Sequence, residues 1–428
     1  MNVLVVGSGG REHALVWKIS RSPKVDKIYC APGNAGIAEI AECVNIQPGD
    51  IQKLADFAFA NRIALTVVGP EIPLVEGIVD FFQSKGLKIF GPVQKAALLE
   101  ASKVFSKEMM IKYNVPTAKA EIFTDNNAAK NFLRVTDPPL VIKADGLAAG
   151  KGVMVAATTK EAEKAIGIIM EEKQFGESGN RIIIEECLKG EEVSFIVFTD
   201  GENIVPMVTS QDHKRVYDGG KGSNTGGMGA YSPAPVINEN LSGKIIDEII
   251  RPIISGLAAE GIRYKGVLYA GLMITDQGPK VLEFNVRYGD PETQVIMPCL
   301  KEDLVDLMND VIDNKLSPRQ LSWEDRSCVC VTCASGGYPG KYEKGKLISG
   351  LEELRDLKDI MVFHAGTKKQ EEKVVTNGGR VLGVTALGKD IAQAAKRVYQ
   401  AVEKIDFEGM HYRKDIGLRA IEKSAIKK

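Results

Sequence analysis

Residues 281–287, VLEFNVR, set an acid, an amide and a guanidinium at every second position. On a strand, alternate side chains share a face. Glu283, Asn285 and Arg287 are therefore expected on one face, and Leu282, Phe284 and Val286 on the other. Carboxylate and amide oxygens are ligands for a hard cation such as Mg²⁺. A neighbouring Arg suits a phosphoryl group moving beside that cation. The pattern points to phosphoryl chemistry, although the polar side of a half-exposed edge strand reads the same way on these residues alone.

Other segments carry matching chemistry. KADGLAAGKG, residues 143–152, places Lys143 and Lys151 around small residues and Gly. Glycines let backbone N–H groups approach phosphate oxygens, and Lys adds a point charge. The loop joins two strands and lacks the Gly-Lys-Ser/Thr of a Walker loop, so a simple hairpin turn is the competing reading. Some 35 residues later, in EECL (185–188), a strand end could pair its backbone with an adenine edge, and Glu192 could accept from ribose hydroxyls; a plain acidic turn is the alternative. Residues 211–232 gather Asp212, His213, Lys214, Arg215, Asp218 and Asn224 among glycines, with little periodicity. A long loop without its own structure is functional or disordered, and the embedded Met228 and Tyr231 argue against disorder. GSGGREH near the start does not match the dinucleotide fingerprint, because Arg11 stands where a small residue is needed and no acid closes the next strand. A single phosphate at a helix N-terminus, beside Arg11, fits better. His13 reads as a packing or cap contact, not a base.

These residues need elements to position them. The first hundred residues alternate strands near 3–6, 27–30, 65–68 and 88–90 with helices such as 12–19 and 51–61, implying a parallel, doubly wound sheet. Ligands bind at the carboxyl ends of such strands, where Gly7 to Arg11 and Gly69-Pro70-Glu71 fall. A helix over 102–117 carries Lys103 and Lys107, and a small unit of strands around two helices follows to about 188. A long helix over 239–260 precedes strands at 266–275 and 280–287. From 322 the order is strand, loop, strand and a helix over 390–405.

Composition removes other classes. The 428 residues carry a formal net charge of −1, so nothing indicates a nucleic-acid or membrane surface. No apolar run approaches the roughly 18 residues of a spanning helix. The start, MNVLVVGSGG, lacks a signal peptide's basic region and cleavage site. Seven scattered cysteines fit reduced thiols and a cytoplasmic protein. Cys328, Cys330 and Cys333 lie on a strand-like segment that points them to opposite faces, so a metal cluster is not expected. No long apolar stripe demands a partner, and a monomer is expected.

Taken together, GSGGREHAL, GPE, KADGLAAGKGV, EECLKGEEVSF, DHKR with NTGGMGAYSPAP, and LEFNVRYGDPETQ resemble the glycinamide ribonucleotide synthetases of the ATP-grasp superfamily. ASGGYPG, FHAGT, GGRVLGVTA and YRKDIG carry the resemblance to the end. It implies an N-terminal Rossmann-like domain over 1–102, an ATP-grasp domain over 103–321 with a mobile lid at about 118–190, and a small α+β domain over 322–428. It further implies ATP-dependent joining of glycine to 5-phosphoribosylamine through glycyl phosphate, in purine synthesis, with Mg²⁺ or Mn²⁺. Lys103 and Lys143 then lie on the phosphates, Gly150, Lys151 and Gly152 in the lid loop, Glu185 and Leu188 at adenine, and Glu192 at ribose. Glu283 and Asn285 take the metal positions. Asp212, Lys214, Asn224, Gly226, Arg287 and Asp290 handle amino acid and acyl phosphate, with Arg287 and Lys143 catalytic. Gly9, Gly10 and Arg11 hold the 5-phosphate. Gly220 and Ser223 depart from the family's acid and Pro, which bears on substrate affinity. A different amine as acceptor is the alternative within the same superfamily.

Overall fold

The computed structural model describes residues 1–147 and 152–426. Strands β1 (Asn2–Gly7), β2 (Lys27–Pro32), β3 (Glu42–Cys43), β4 (Ile63–Val68) and β5 (Ile89–Phe90) form a parallel sheet in the order β3-β2-β1-β4-β5. β1 is a continuous apolar run because both its faces are covered: Leu4 and Val6 enter one core cluster, Val3 and Val5 another. Strand order reverses between β1 and β4, which opens a crevice at their carboxyl ends. The first helix, expected over 12–19, spans Gly10–Ile19, since Glu12 reaches back to cap it at the Gly9 N–H. The helix expected over 102–117 spans Lys103–Lys112. It stops there because Asn114 takes the left-handed conformation (φ 55°) and Pro116 follows.

A separate antiparallel sheet comes next: β6 (Ala120–Phe123), β7 (Leu140–Ala144), β8 (Val153–Ala156) and β9 (Ile182–Glu186), in the order β6-β9-β7-β8. Ile142, Ile184, Ala165 and Ile169 give it a core of its own. β7 and β8 are antiparallel neighbours across the Gly-rich loop. The body carries a second antiparallel sheet, β11-β10-β16-β17, from β10 (Glu191–Thr199), β11 (Ile204–Pro206), β16 (Gly266–Thr275) and β17 (Gly278–Asn285).

β17 departs from simple alternation. Glu283 lies opposite Gly271 and Val281 opposite Leu272, so Leu282 is an extra residue in a bulge. Val281, Phe284 and Val286 enter the core. Leu282, expected with them, instead lines the same cleft as Glu283, Asn285 and Arg287. The strand ends at Asn285, and Arg287 lies in the bend beyond it.

Residues 211–232, expected as a structureless loop, hold four short strands: β12 (Gln211–Asp212), β13 (Arg215–Tyr217), β14 (Lys221–Asn224) and β15 (Gly229–Ser232). β13 and β14 pair with each other. β12 and β15 join β18 (Ser327–Ala334), β19 (Ile360–His364) and β22 (Arg380–Gly388) in a five-stranded sheet, β12-β15-β18-β22-β19, while β20 (Thr367–Gln370) and β21 (Lys373–Thr376) form a hairpin beside it. The C-terminal unit thus takes two strands from mid-chain, and a boundary at 322 passes through a shared sheet. On β18, Cys328 and Cys330 join one core cluster and Cys333 another, the alternation expected of a strand. Among the described residues, no group of three His, Cys, Asp or Glu is placed to hold a metal. No described helix is long and apolar enough to cross a membrane.

Candidate active site

A cavity of about 940 Å³ runs between the N-terminal sheet, the separate four-stranded unit, β16–β17 and the C-terminal unit. Its lining includes Lys103, Lys143, Gly152, Glu185, Leu188 and Glu192, and also Asp212, Lys214, Asn224, Gly226, Glu283, Asn285, Arg287, Asp290 and Arg11. Residues from Arg11 to Arg419 thus share one space. Gly150 and Lys151 lie outside the described residues. Gly9 lines a neighbouring pocket, and Gly10 lines neither.

At one end, Val141, Val155, Leu147 and Met110 give apolar walls suited to a base. Glu185 on β9 is buried between two lysines, Lys143 at 2.8 Å and Lys107 at 3.0 Å. Its carboxylate is thus committed to an ion network, beyond the backbone role read from the sequence. Lys143 also donates to the Leu282 carbonyl at 3.0 Å, which ties β7 to β17 one residue before Glu283. Lys103, beside the Ser102 cap, donates to the Gly146 carbonyl at 3.0 Å. Burial lowers the pKa of both Lys103 and Lys107. Asp145 accepts from Ser102 Oγ and from the Val104 N–H, so a residue just beyond β7 helps to start the Lys103 helix.

At the centre, Lys214 Nζ lies 3.3 Å from Glu283 and 3.5 Å from Glu192. Lys214 is the main cause, against burial, of a Glu283 pKa near about 2, with Lys103 and Lys143 adding to it. Glu283 is therefore an ionised carboxylate throughout the physiological range. Arg287 meets Glu71 (3.2 Å), Glu100 (2.7 Å) and the Tyr288 carbonyl (3.2 Å). Burial disfavours its charge, but Glu100 and Glu71 more than offset that and raise its pKa.

The third part joins the middle of the chain to its end. Arg380, at the start of β22, pairs with Asp290 at 3.2 Å and donates to the carbonyls of Asp290 and Gly226. The Tyr338 hydroxyl accepts from the Gly226 N–H. Glu292, buried, accepts from Ser194 Oγ (2.9 Å) and the Tyr269 hydroxyl (2.8 Å). Burial, then the charge of Glu292, push the Asp212 carboxyl well above its ordinary pKa.

The N-terminal loop is less open than its sequence suggests. Glu12 takes the Gly9 N–H, and Arg11 Nε pairs with Glu12 at 2.6 Å while Nη1 donates to the Tyr288 carbonyl. Both side chains are buried. The adjoining pocket, about 270 Å³, is lined by Ser8, Gly9, Asn34, Gly366, Thr367 and Asn377, and it meets the main cavity at Asp290 and Arg380. His13 accepts from the His364 N–H at 2.7 Å and packs on Phe363, the packing role expected of it.

Sequence reasoning gave no role to Glu71, Glu100, Glu292 or Arg380. Glu71 and Arg380 carried signals, in GPE at a strand's carboxyl end and in GGR opening a strand; Glu100 carried none.

The chain matches the N domain of phosphoribosylglycinamide synthetase over residues 1–100, its ATP-grasp (A) domain over 101–293 and its C domain over 328–419. It is 53% identical over 416 residues to the phosphoribosylamine–glycine ligase of Caldanaerobacter subterraneus subsp. tengcongensis, covering 97% of this chain and 99% of that protein. The Yersinia pestis protein of the same name is 54% identical over 425 residues, covering 98% and 99%. Among solved structures, the phosphoribosylamine–glycine ligase of Thermotoga maritima superposes with a TM-score of 0.84 at 34% identity, over 97% of this chain and 100% of that one. A biotin carboxylase from Campylobacter jejuni shares the fold (TM-score 0.76, 16% identity, 98% and 95% covered). The identity extends across all three units that wall the cavity, and the chain belongs to the phosphoribosylglycinamide synthetase family.

Proposed function

We propose that the protein joins glycine to 5-phosphoribosylamine at the expense of ATP, giving glycinamide ribonucleotide, ADP and phosphate in purine synthesis. One observation carries this reading furthest: Lys143 of β7 donates to the carbonyl of Leu282, the residue before Glu283, and Glu283 and Asn285 line the same cavity. This would bring a cation suited to a phosphate next to the carboxylate assigned to the metal.

The donor set fits a hard divalent cation. Glu283 is ionised and Asn285 supplies an amide oxygen, leaving further positions for phosphate and water. Glu283 and Asn285 would hold Mg²⁺ or Mn²⁺, which when bound neutralises charge on the transferring phosphoryl. ATP would lie with its base against Val141, Val155 and Met110, its ribose by Glu192 and its phosphates toward Lys103 and Lys143. The glycine carboxylate attacks the γ-phosphorus, the bond to the β-phosphate oxygen breaks and ADP leaves. Arg287 and Lys143 stabilise the charge that develops. The amine of phosphoribosylamine attacks the acyl carbon, and phosphate departs with one oxygen of glycine and the proton shed by the amine. The lid unit keeps water from the acyl phosphate. The pocket beside Gly9 takes the phosphoribosyl group, next to the cavity where Asp290 and Arg380 meet.

Phosphate release with ATP, glycine and freshly generated phosphoribosylamine tests this directly. Omitting any one substrate should abolish product. Full ATP turnover without glycine, or none with all three, would overturn it.

A further inference from the structure

The turn Gly69-Pro70-Glu71 lies at the carboxyl end of β4, where a ligand is expected, yet no step above uses it. Glu71 follows β4, and Glu100 lies on the helix Gln94–Ala101; both belong to the N-terminal unit. Both reach across the cavity to one guanidinium, that of Arg287. Arg287 lies beyond the end of β17, so no strand ladder fixes its backbone. Glu100 does so instead: one carboxylate oxygen accepts from the Val286 N–H at 2.7 Å and the other holds Arg287 Nη2 at 2.7 Å. Glu71 takes Nε at 3.2 Å, and the Tyr288 carbonyl takes Nη1. Of the five guanidinium N–H groups, those on Nε and Nη1 are thus committed to hydrogen bonds and Nη2 is held in an ion pair, which leaves further N–H groups for a ligand.

We propose that Glu71 and Glu100 are positioning residues that lock Arg287 so that its remaining N–H groups face the transferring phosphoryl, making the N-terminal unit part of the ATP-grasp reaction centre. The lock is set on folding, so no order is lost when the reaction begins. With two carboxylates around one guanidinium, Arg287 acts by direction more than by net charge. The proposal rests on the ligase reading above.

Glu71→Gln and Glu100→Gln preserve shape and remove charge. Each should lower kcat about tenfold or more while KM for ATP stays within about threefold. Glu100→Asp should recover part of the rate lost in Glu100→Gln. Combined with Arg287→Ala, Glu100→Gln should add no further loss, because its effect runs through Arg287. Multiplying losses, or kcat within about threefold of the parent in both single variants, would overturn the proposal. Should Glu100→Gln fail to fold, Glu71→Gln supports the same comparison. Arginine-selective ¹⁵N spectra add a readout independent of turnover. A protected Nε–H signal, assigned by its loss in Arg287→Lys, should exchange faster in Glu71→Gln. An unchanged signal would overturn the lock even if the parent proved not to be a ligase, which the parent's own activity reports separately.

Discussion

Glu283 and Lys214 form an ion pair in the wall of the cavity. They lie 3.3 Å apart, and Lys214 is the main reason Glu283 stays ionised to a pKa of about 2. A carboxylate so poised needs no proton loss to take a cation. Glu283→Ala should lower turnover about 10²- to 10³-fold, as removal of one charge-stabilising group does elsewhere. Single-turnover phosphate release at saturating metal measures this, and a rate within about threefold of the parent would remove Glu283 from the metal site. Glu283 and Asn285 were readable from sequence because both follow a two-residue period. Leu282 was not, since its bulge depends on pairing with Gly271, which no local pattern announces. Glu71 and Glu100 were invisible as partners of the 286–287 bend because they lie 216 and 186 residues away in sequence.

At the scale of elements, the segment 211–232 is held against 290–292 by close backbone approach. Gly227 has φ 111°, and a Cβ there would lie 2.4 Å from Pro291 Cδ and 2.7 Å from Asp212 Oδ1. Gly227→Ala should therefore displace the Asp212 strand, costing about 1–3 kcal/mol of stability and weakening the amine substrate's KM. Gly243 is the internal control: it lies in the helix Glu239–Ile245 with nothing within 4 Å of a new Cβ. Gly243→Ala should stabilise by about 0.5–1 kcal/mol with unchanged kinetics. Urea unfolding and steady-state rates on the two variants test the contrast; equal behaviour would show that 211–232 is not braced in this way. The helix expected over 239–260, which runs as Glu239–Ile245, a π-helical turn Ile246–Ile250 and Arg251–Ala259, and the parallel sheet were legible because their periods are local and repeated. β12 to β15 were not, being two to four residues long and Gly-rich, with β15's partner β18 about a hundred residues further on.

At the scale of the whole molecule, the first helix meets the C-terminal unit through buried histidines. Burial, and secondarily His364, hold His13 at a pKa of about 3, and burial holds His364 at about 4. His13 is bound in its neutral form, since its Nδ1 accepts the His364 N–H. Its folded pKa lies below the unfolded 6.5, so its stabilisation is present above about pH 6.5 and drains away as pH falls toward 3. Between pH 7.5 and 5 this one residue should cost the protein about 2 kcal/mol. His13→Asn keeps an acceptor and removes the titration, so its stability should fall less over that interval by about that amount. Parallel pH dependences in urea unfolding would place the acid sensitivity elsewhere. The same long-range assembly builds the cavity, whose walls come from all three matched regions of the chain. The transient bond between a glycine carboxylate oxygen and the γ-phosphorus is tested most directly by turnover with glycine labelled with ¹⁸O in its carboxylate. One heavy oxygen in each phosphate released is the expected result; phosphate carrying only solvent or nucleotide oxygen, alongside normal product, would contradict it.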